Sequence, residues 1–263
     1  MNRKLALIIA GSIAGGFLKV TGGLIFGSNA LFVDALTSFA NLLALFAVLA
    51  LRRRTVMPPD SDHHFGHERF EYVGVLITML SYSFVAGISI SKLASTREYR
   101  VGLEAFYLAV ASIVAYAPPV LLSRRMSAGF RTYGEFTASE FIESGVGIVS
   151  TLGGAVYSYM IDYVGAIALT GFIFYELFRA GGDLIEIMVD SAPPLEVYET
   201  IVNEAGKHGF KIESLRLRKV SQAKFHGDLL LRGNPRSEDV AKFKAILKNN
   251  YGIDLCVEGK IDS

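Results

Sequence analysis

The chain has 263 residues, 51% of them hydrophobic and 19% charged, with a formal net charge of +1 and a mean hydropathy of +0.39. Soluble domains carry nearer a quarter charged residues, and here the apolar residues fall in long runs over the first 180 positions. A near-neutral balance gives no support for a nucleic-acid partner, and the single cysteine, Cys256, excludes an internal disulfide framework or a thiolate metal cluster.

The apolar runs predict six transmembrane helices, over residues 5–26, 28–51, 72–91, 103–123, 136–161 and 163–180. Most of these runs approach or exceed the roughly 20 residues that cross the hydrocarbon layer, and the sixth is shorter. The basic start, Met1 to Lys4, followed by an apolar run resembles a signal peptide. No small-residue cleavage site leads into a polar chain, so the run is expected to be the first span. Arg3 and Lys4 precede span one, Arg52, Arg53, Arg54 and Arg69 lie between two and three, Arg124, Arg125 and Arg131 between four and five, and Arg179 follows six. The opposite side has Lys92, Arg97 and Arg100, partly offset by Glu98. This bias predicts a multi-pass protein of the cell membrane with both termini cytoplasmic.

Pro193-Pro194 ends the helical run. Beyond it, 195–207 reads as an amphipathic helix, 211–220 and 224–232 as strands, 237–249 as a helix opened by Ser237, and 253–257 as a last strand. The expected fold is therefore a polytopic α-helical membrane domain over 1–190 and a small α+β cytoplasmic domain over 191–263, with ferredoxin-like α-β-β-α-β order. About 70 residues is marginal for an independent core, so pairing with a second copy is expected.

Three constellations carry chemistry. In span two, Asp34, Thr37 or Ser38, and Asn41 share one helical face through steps of three and four. Oxygen ligands at that spacing replace part of a cation's hydration shell; the alternative is an interhelical polar contact that helps packing. In span five, Glu140, Ser144 and Gly147 share a face with Glu143 beside it. A carboxylate in a bilayer is costly unless it faces a cavity or partner, although Glu140 would sit at the surface if the span starts later. In the loop Asp60-Ser61-Asp62-His63-His64-Phe65-Gly66-His67-Glu68, three of the five histidines fall within five residues. Imidazole with carboxylate suits zinc or another transition ion; the alternative is a polar loop packed on lipid headgroups. Ligation needs neutral imidazole, so occupancy is expected to fall as pH drops through about 6.5.

Gly27-Ser28-x-Ala30-Leu31-x-x-Asp34-Ala35-Leu36 and His63-x-Phe65-Gly66-His67-x-Arg69-x-Glu71 resemble motifs of the cation diffusion facilitators, divalent metal/proton antiporters. Span number, order and the C-terminal domain resemble that family over nearly the whole chain. The resemblance implies a homodimeric transporter, not an enzyme and with no catalytic residues, that exports metal from the cytoplasm against protons by alternating access. The family's central site takes two ligands from span two and two from span five. Its span-two pair falls on Thr37 and Asn41; its span-five pair falls on Ile142 and Val146, or on Glu143 and Gly147 if shifted by one. The usual tetrahedral zinc site is absent in either placement. The expected replacement is oxygen-rich, from Asp34, Asn41, Glu140 and Glu143 with Thr37 and Ser38 alongside, selecting Mn²⁺, Mg²⁺ or Fe²⁺ over Zn²⁺. The competing expectation is a transport-deficient relative acting as a sensor or structural protein. Asp60, His63 and His67 fall on a second metal site of the family. In the cytoplasmic domain the matching positions are Glu213, Leu229 and Glu258, with His226 three residues off, and no full binuclear cluster is expected.

Overall fold

The computed structural model describes residues 3–64, 66–123, 128–221 and 224–260. Phe65, Arg124 and Arg125 of the sequence reading lie outside these, as do the side chains of Arg3, Lys4, Glu71, Arg131 and Ala138. The chain forms two compact units, Met1–Gly181 and Gly182–Ser263.

The first unit holds the helices α1 (Arg3–Leu24), α2 (Asn29–Thr55), α3 (Phe70–Ser95), α4 (Leu103–Ser123), α5 (Ala128–Val156) and most of α6 (Tyr159–Met188). Among the described residues four helices are long and apolar enough to cross a membrane, over Ala6–Leu24, Asn29–Thr55, Tyr72–Ser95 and Tyr159–Met188; α4 carries a shorter apolar stretch, Leu103–Pro118. The arrangement inverts that of a soluble bundle. Large apolar side chains such as Phe17, Leu80, Phe84 and Phe178 point outward, while Lys19, Asp34, Asn41, Glu140 and Glu143 are buried. A continuous apolar exterior over a charged interior is the pattern a lipid solvent imposes. Between these layers, Ala30, Val33, Tyr82, Val85, Leu169 and Ile173 of α2, α3 and α6 form an apolar core.

The α1–α2 turn is tight. Gly27 has φ of 75°, and an added Cβ would lie 2.4 Å from the carbonyl oxygen of Arg100, so only glycine fits. Ser28 then caps α2, its hydroxyl oxygen accepting the Leu31 N–H at 3.0 Å. The remaining free N–H groups are met from α6. Asp162 accepts the Asn29 N–H at 2.7 Å, the Ala30 N–H at 3.3 Å and the Ser28 hydroxyl at 2.5 Å. At its other end α2 carries Arg52, Arg53 and Arg54 in its last turn, where cations complement the helix dipole.

Asp162 explains the clearest departure from the expected boundaries. The apolar runs place the end of the fifth helix at residue 161 and the start of the sixth at 163. The chain instead turns at Tyr157 and Ser158, whose N–H groups both bond to the Gly153 carbonyl, and Asp162 lies buried in the first turn of α6. A carboxylate with a capping partner on another helix need not interrupt its own. Helices α3 and α6 also extend beyond the expected 72–91 and 163–180.

The second unit begins inside α6, and within it Glu186 accepts Lys219 Nζ at 2.7 Å and Asp190 accepts Arg218 at 3.3 Å. It continues with α7 (Leu195–Lys207), β1 (Ile212–Ser221), β2 (Lys224–Arg232), α8 (Ser237–Tyr251) and β3 (Ile253–Lys260). The sheet order is β1-β2-β3. Strands β1 and β2 are antiparallel with Leu217 opposite Gly227, and β2 and β3 are parallel with Leu229 opposite Val257. A parallel pair needs a crossover, which α8 supplies. Ile201 and Ala205 of α7, Phe243 and Leu247 of α8, and Leu217, Leu229, Leu231, Ile253 and Leu255 of the sheet form one core.

Candidate functional site

The site inside the first unit is built around α2. Its 3.6-residue repeat puts Asp34, Thr37, Ser38 and Asn41 on the inward face, and all four are buried. Helix α5 brings Glu140, Glu143 and Ser144 against them, each no more than 2% exposed. Asn41 donates from Nδ2 to Glu140 Oε1 at 2.7 Å, and its own carbonyl accepts the Tyr82 hydroxyl of α3 at 2.7 Å. Thr37 donates its hydroxyl to the Glu143 carboxylate. Ser38 Oγ lies 3.0 Å from Glu140 Oε2. The Thr37 and Ser38 hydroxyls also lie 2.9 Å from the Asp34 carbonyl, which joins the six sequence candidates in one network, and Glu140 is 1% exposed, inside the bundle rather than at a surface. Ile142, by contrast, is 60% exposed. A Cβ added at Gly147 would lie 3.4 Å from Asp34 Oδ2, so the Glu143–Gly147 face of α5 is the one turned toward Asp34.

A residue that the sequence reading left unassigned completes the network. Lys19 of α1 is fully buried, and its ammonium donates to Asp34 Oδ1 at 2.7 Å, Glu140 Oε2 at 2.6 Å and Ser38 Oγ at 3.0 Å. Its charge also lies 4.6 Å from the centre of the Tyr116 ring of α4, within cation–π range. Tyr116 reaches that place because Gly15 has no side chain: a Cβ there would be 2.3 Å from two ring carbons. Four helices therefore meet at one ammonium. Its signal in the sequence was a lone lysine in an apolar run, at a depth where an unpaired charge is costly. Two buried oxygens of this network, Asp34 Oδ2 and Glu143 Oε1, have no hydrogen-bond partner among the described residues.

The loop between α2 and α3 makes a second, separate arrangement. Asp60 Oδ1 accepts the N–H groups of His63 at 2.8 Å and Asp62 at 3.0 Å, an Asx turn that folds the histidines back. These bonds, that of His63 first, hold the Asp60 carboxyl below the usual carboxylate range. Ligand atoms of Asp60, His63 and His67 lie within 4.8 Å of one another. His67 is buried, and its Nδ1 is 3.2 Å from the Pro58 carbonyl. A carbonyl only accepts, so Nδ1 carries the proton; Nε2 lies 3.3 Å from Asp60 Oδ2, donating to it when protonated and offering its lone pair to a cation between them when not. Phe70 packs beside both rings. This is the only such group among the described residues. The candidates of the second unit do not converge: Glu213 pairs with Arg232 at 3.2 Å, His226 on β2 lies opposite Asp254, and Glu258 lies opposite Leu230.

Comparison with known proteins identifies the class. The sequence model of the cation efflux transmembrane domain matches residues 5–189, most of the chain, and the protein belongs to the cation efflux family, the cation diffusion facilitators. It is a membrane protein of cation transport, in a family of transporters rather than enzymes. Among its relatives, manganese efflux system protein MneP of Bacillus subtilis is 29% identical over 244 residues, 86% of this chain and 80% of that protein. Cation-efflux pump FieF of Pectobacterium carotovorum is 21% identical over 256 residues, 88% of this chain and 83% of its own length. Manganese efflux system protein MneS of Bacillus subtilis is 40% identical over a shorter stretch of 60 residues, 23% of this chain and 21% of that protein.

Proposed function

We propose that the chain exports a hard divalent cation, Mn²⁺ before Fe²⁺, Mg²⁺ or Zn²⁺, from the cytoplasm in exchange for protons, through the site between α2 and α5. The observation that carries this reading is the donor set. Asp34, Thr37, Ser38, Asn41, Glu140 and Glu143 bring oxygen to the site, and the five histidines, His63, His64, His67, His208 and His226, all fall outside α1–α6. Oxygen donors favour Mn²⁺ and Mg²⁺, whereas imidazole suits zinc. That the relative MneP is a manganese efflux protein supports the same choice of ion. In the empty state the carboxylates take protons in place of metal, which supplies the coupling.

The rest of the reading follows from this role. Six spans over 1–190 cross the cell membrane with both termini cytoplasmic, and residues 191–263 form the cytoplasmic domain through which two copies pair. Asp60, His63 and His67 bind a transition metal at the membrane–cytosol boundary. A second reading, a relative that keeps the fold without moving ions, is favoured by one observation: the Lys19 ammonium already holds Asp34 and Glu140. Metal flux into inside-out vesicles under an imposed proton gradient separates the two. Mn²⁺ uptake that collapses with the gradient is expected; no metal-dependent proton flux with any divalent ion contradicts transport.

A further inference from the structure

The buried network has a charge balance that sequence spacing does not show. Asp34, Glu140 and Glu143 are three carboxylates at 0–1% exposure, and Lys19 is the one ammonium among them. With all three acids ionised, the form that takes a metal, these groups leave two net negative charges. Of the other buried acids in this unit, Asp162 is bound at the N-terminus of α2, and Glu176 has Arg179 one turn further along α6. The oxygens divide in the same way. Glu140 has both carboxylate oxygens engaged, Oε1 by Asn41 and Oε2 by Lys19 and Ser38. Asp34 has Oδ1 engaged by Lys19 and Oδ2 without a partner; Glu143 has Oε2 engaged by Thr37 and Oε1 without a partner. A buried acceptor without a donor costs free energy that a cation recovers.

We propose that Lys19 is a tethered counter-cation that sets the net charge of the transport site to that of one divalent ion. It is a positioning residue: it neutralises Glu140, which serves as its structural partner, and leaves Asp34 Oδ2 and Glu143 Oε1 as the carboxylate oxygens that take the ion. This rests on the reading of the α2–α5 network as the cation site, and it narrows the set of ligands that reading allows. A monovalent ion under-compensates such a site and a trivalent ion over-compensates it. In a poorly hydrated interior each unmatched charge is expensive.

The test is equilibrium Mn²⁺ binding to the full chain, read by electron paramagnetic resonance of free Mn²⁺, with La³⁺ as competitor. A His63→Ala, His67→Ala background removes the loop site. Lys19→Met leaves three net negative charges and should raise the La³⁺-over-Mn²⁺ preference about tenfold or more, on the order of 1.4 kcal/mol. Lys19→Arg keeps the charge and should keep the wild-type preference. Glu140→Gln leaves one net charge and should weaken Mn²⁺ about tenfold. The double variant Lys19→Met, Glu140→Gln restores two net charges and should bind Mn²⁺ within about threefold of wild type. Because Lys19→Met alone leaves buried carboxylates uncompensated and endangers folding, the double variant set against Glu140→Gln decides by itself. A double variant as weak as Glu140→Gln, or a La³⁺ preference that Lys19→Met leaves unchanged, overturns the proposal. Wild-type protein that binds Mn²⁺ in this charge-dependent way yet moves no ion in vesicles leaves the charge setting intact and sinks the transport reading. Wild-type protein that binds no Mn²⁺ overturns both.

Discussion

At the scale of single residues, the described structure separates groups that hold one another from groups left open to an ion. Asp34 and Glu143 are each half engaged, so replacing either removes an open oxygen without stripping Lys19 of both partners. Glu143→Gln is therefore expected to lower Mn²⁺ flux by at least about tenfold while the protein stays folded by size-exclusion chromatography; unchanged flux would make Glu143 a packing residue. In the loop, His63→Ala with His67→Ala should abolish Zn²⁺ binding there, measured by calorimetry, and unchanged binding would remove the site. The Asp60 carboxyl is held low by the His63 and Asp62 N–H groups, so its Asx turn is favoured above the unfolded pKa of about 3.9 and is lost as pH falls through the still lower folded value. The Asp60 side-chain carboxyl carbon shift in NMR should stay constant from neutral pH to about 4 and titrate only below it; a midpoint above about 4 would contradict this. Much of this was legible in the chain. Steps of three and four marked the Asp34–Asn41 face, and three clustered histidines marked the loop. Lys19 was visible but not assignable, because its long stem also allows a lysine inside a span to snorkel toward the interface. Its partners lie 15 and 121 positions away, and no local pattern joins them.

At the scale of elements, two contacts decide how the helices meet. Gly15 lets the Tyr116 ring lie against α1 beneath Lys19, and Gly15→Ala places a methyl inside the ring's volume. Overpacking of this kind costs about 1–3 kcal/mol, and a fall in thermal stability in detergent is expected. Tolerance of Gly15→Ala without loss would show that Tyr116 moves freely. Asp162 caps α2 from α6, so Asp162→Ala should destabilise by about 0.5–2 kcal/mol or more, as lost caps do. The sequence placed every helix of the first unit but misjudged its ends. The apolar runs put the boundary between the fifth and sixth helices at residue 162, whereas the turn comes at Tyr157 and Ser158, after the Gly153-Gly154 pair. The α-β-β-α-β order of the second unit was legible because its elements are short and most boundaries carry Gly or Pro, at Pro194, Gly209, Gly233, Pro235 and Gly252. Strand pairing was not, since parallel register is set by contacts far apart in sequence.

At the scale of the whole molecule, a membrane unit with a charged interior and a small α+β unit of modest core define a transporter of the cation efflux family. A core of this size gains from a partner surface, so the full chain is expected to run as a dimer by native mass spectrometry in detergent; a stable monomer at micromolar concentration would contradict pairing. The central claim is that ions cross through an oxygen-rich site that selects a hard cation. The measurement that tests it most directly is a transport competition among Mn²⁺, Mg²⁺, Fe²⁺ and Zn²⁺ in proteoliposomes under a proton gradient, repeated in Asp34→Ala and Glu143→Ala. Wild type should prefer Mn²⁺, and both variants should lose transport of every ion. A wild-type preference for Zn²⁺ with both variants active would contradict the account, showing that the ion takes another route and that these carboxylates only hold helices together.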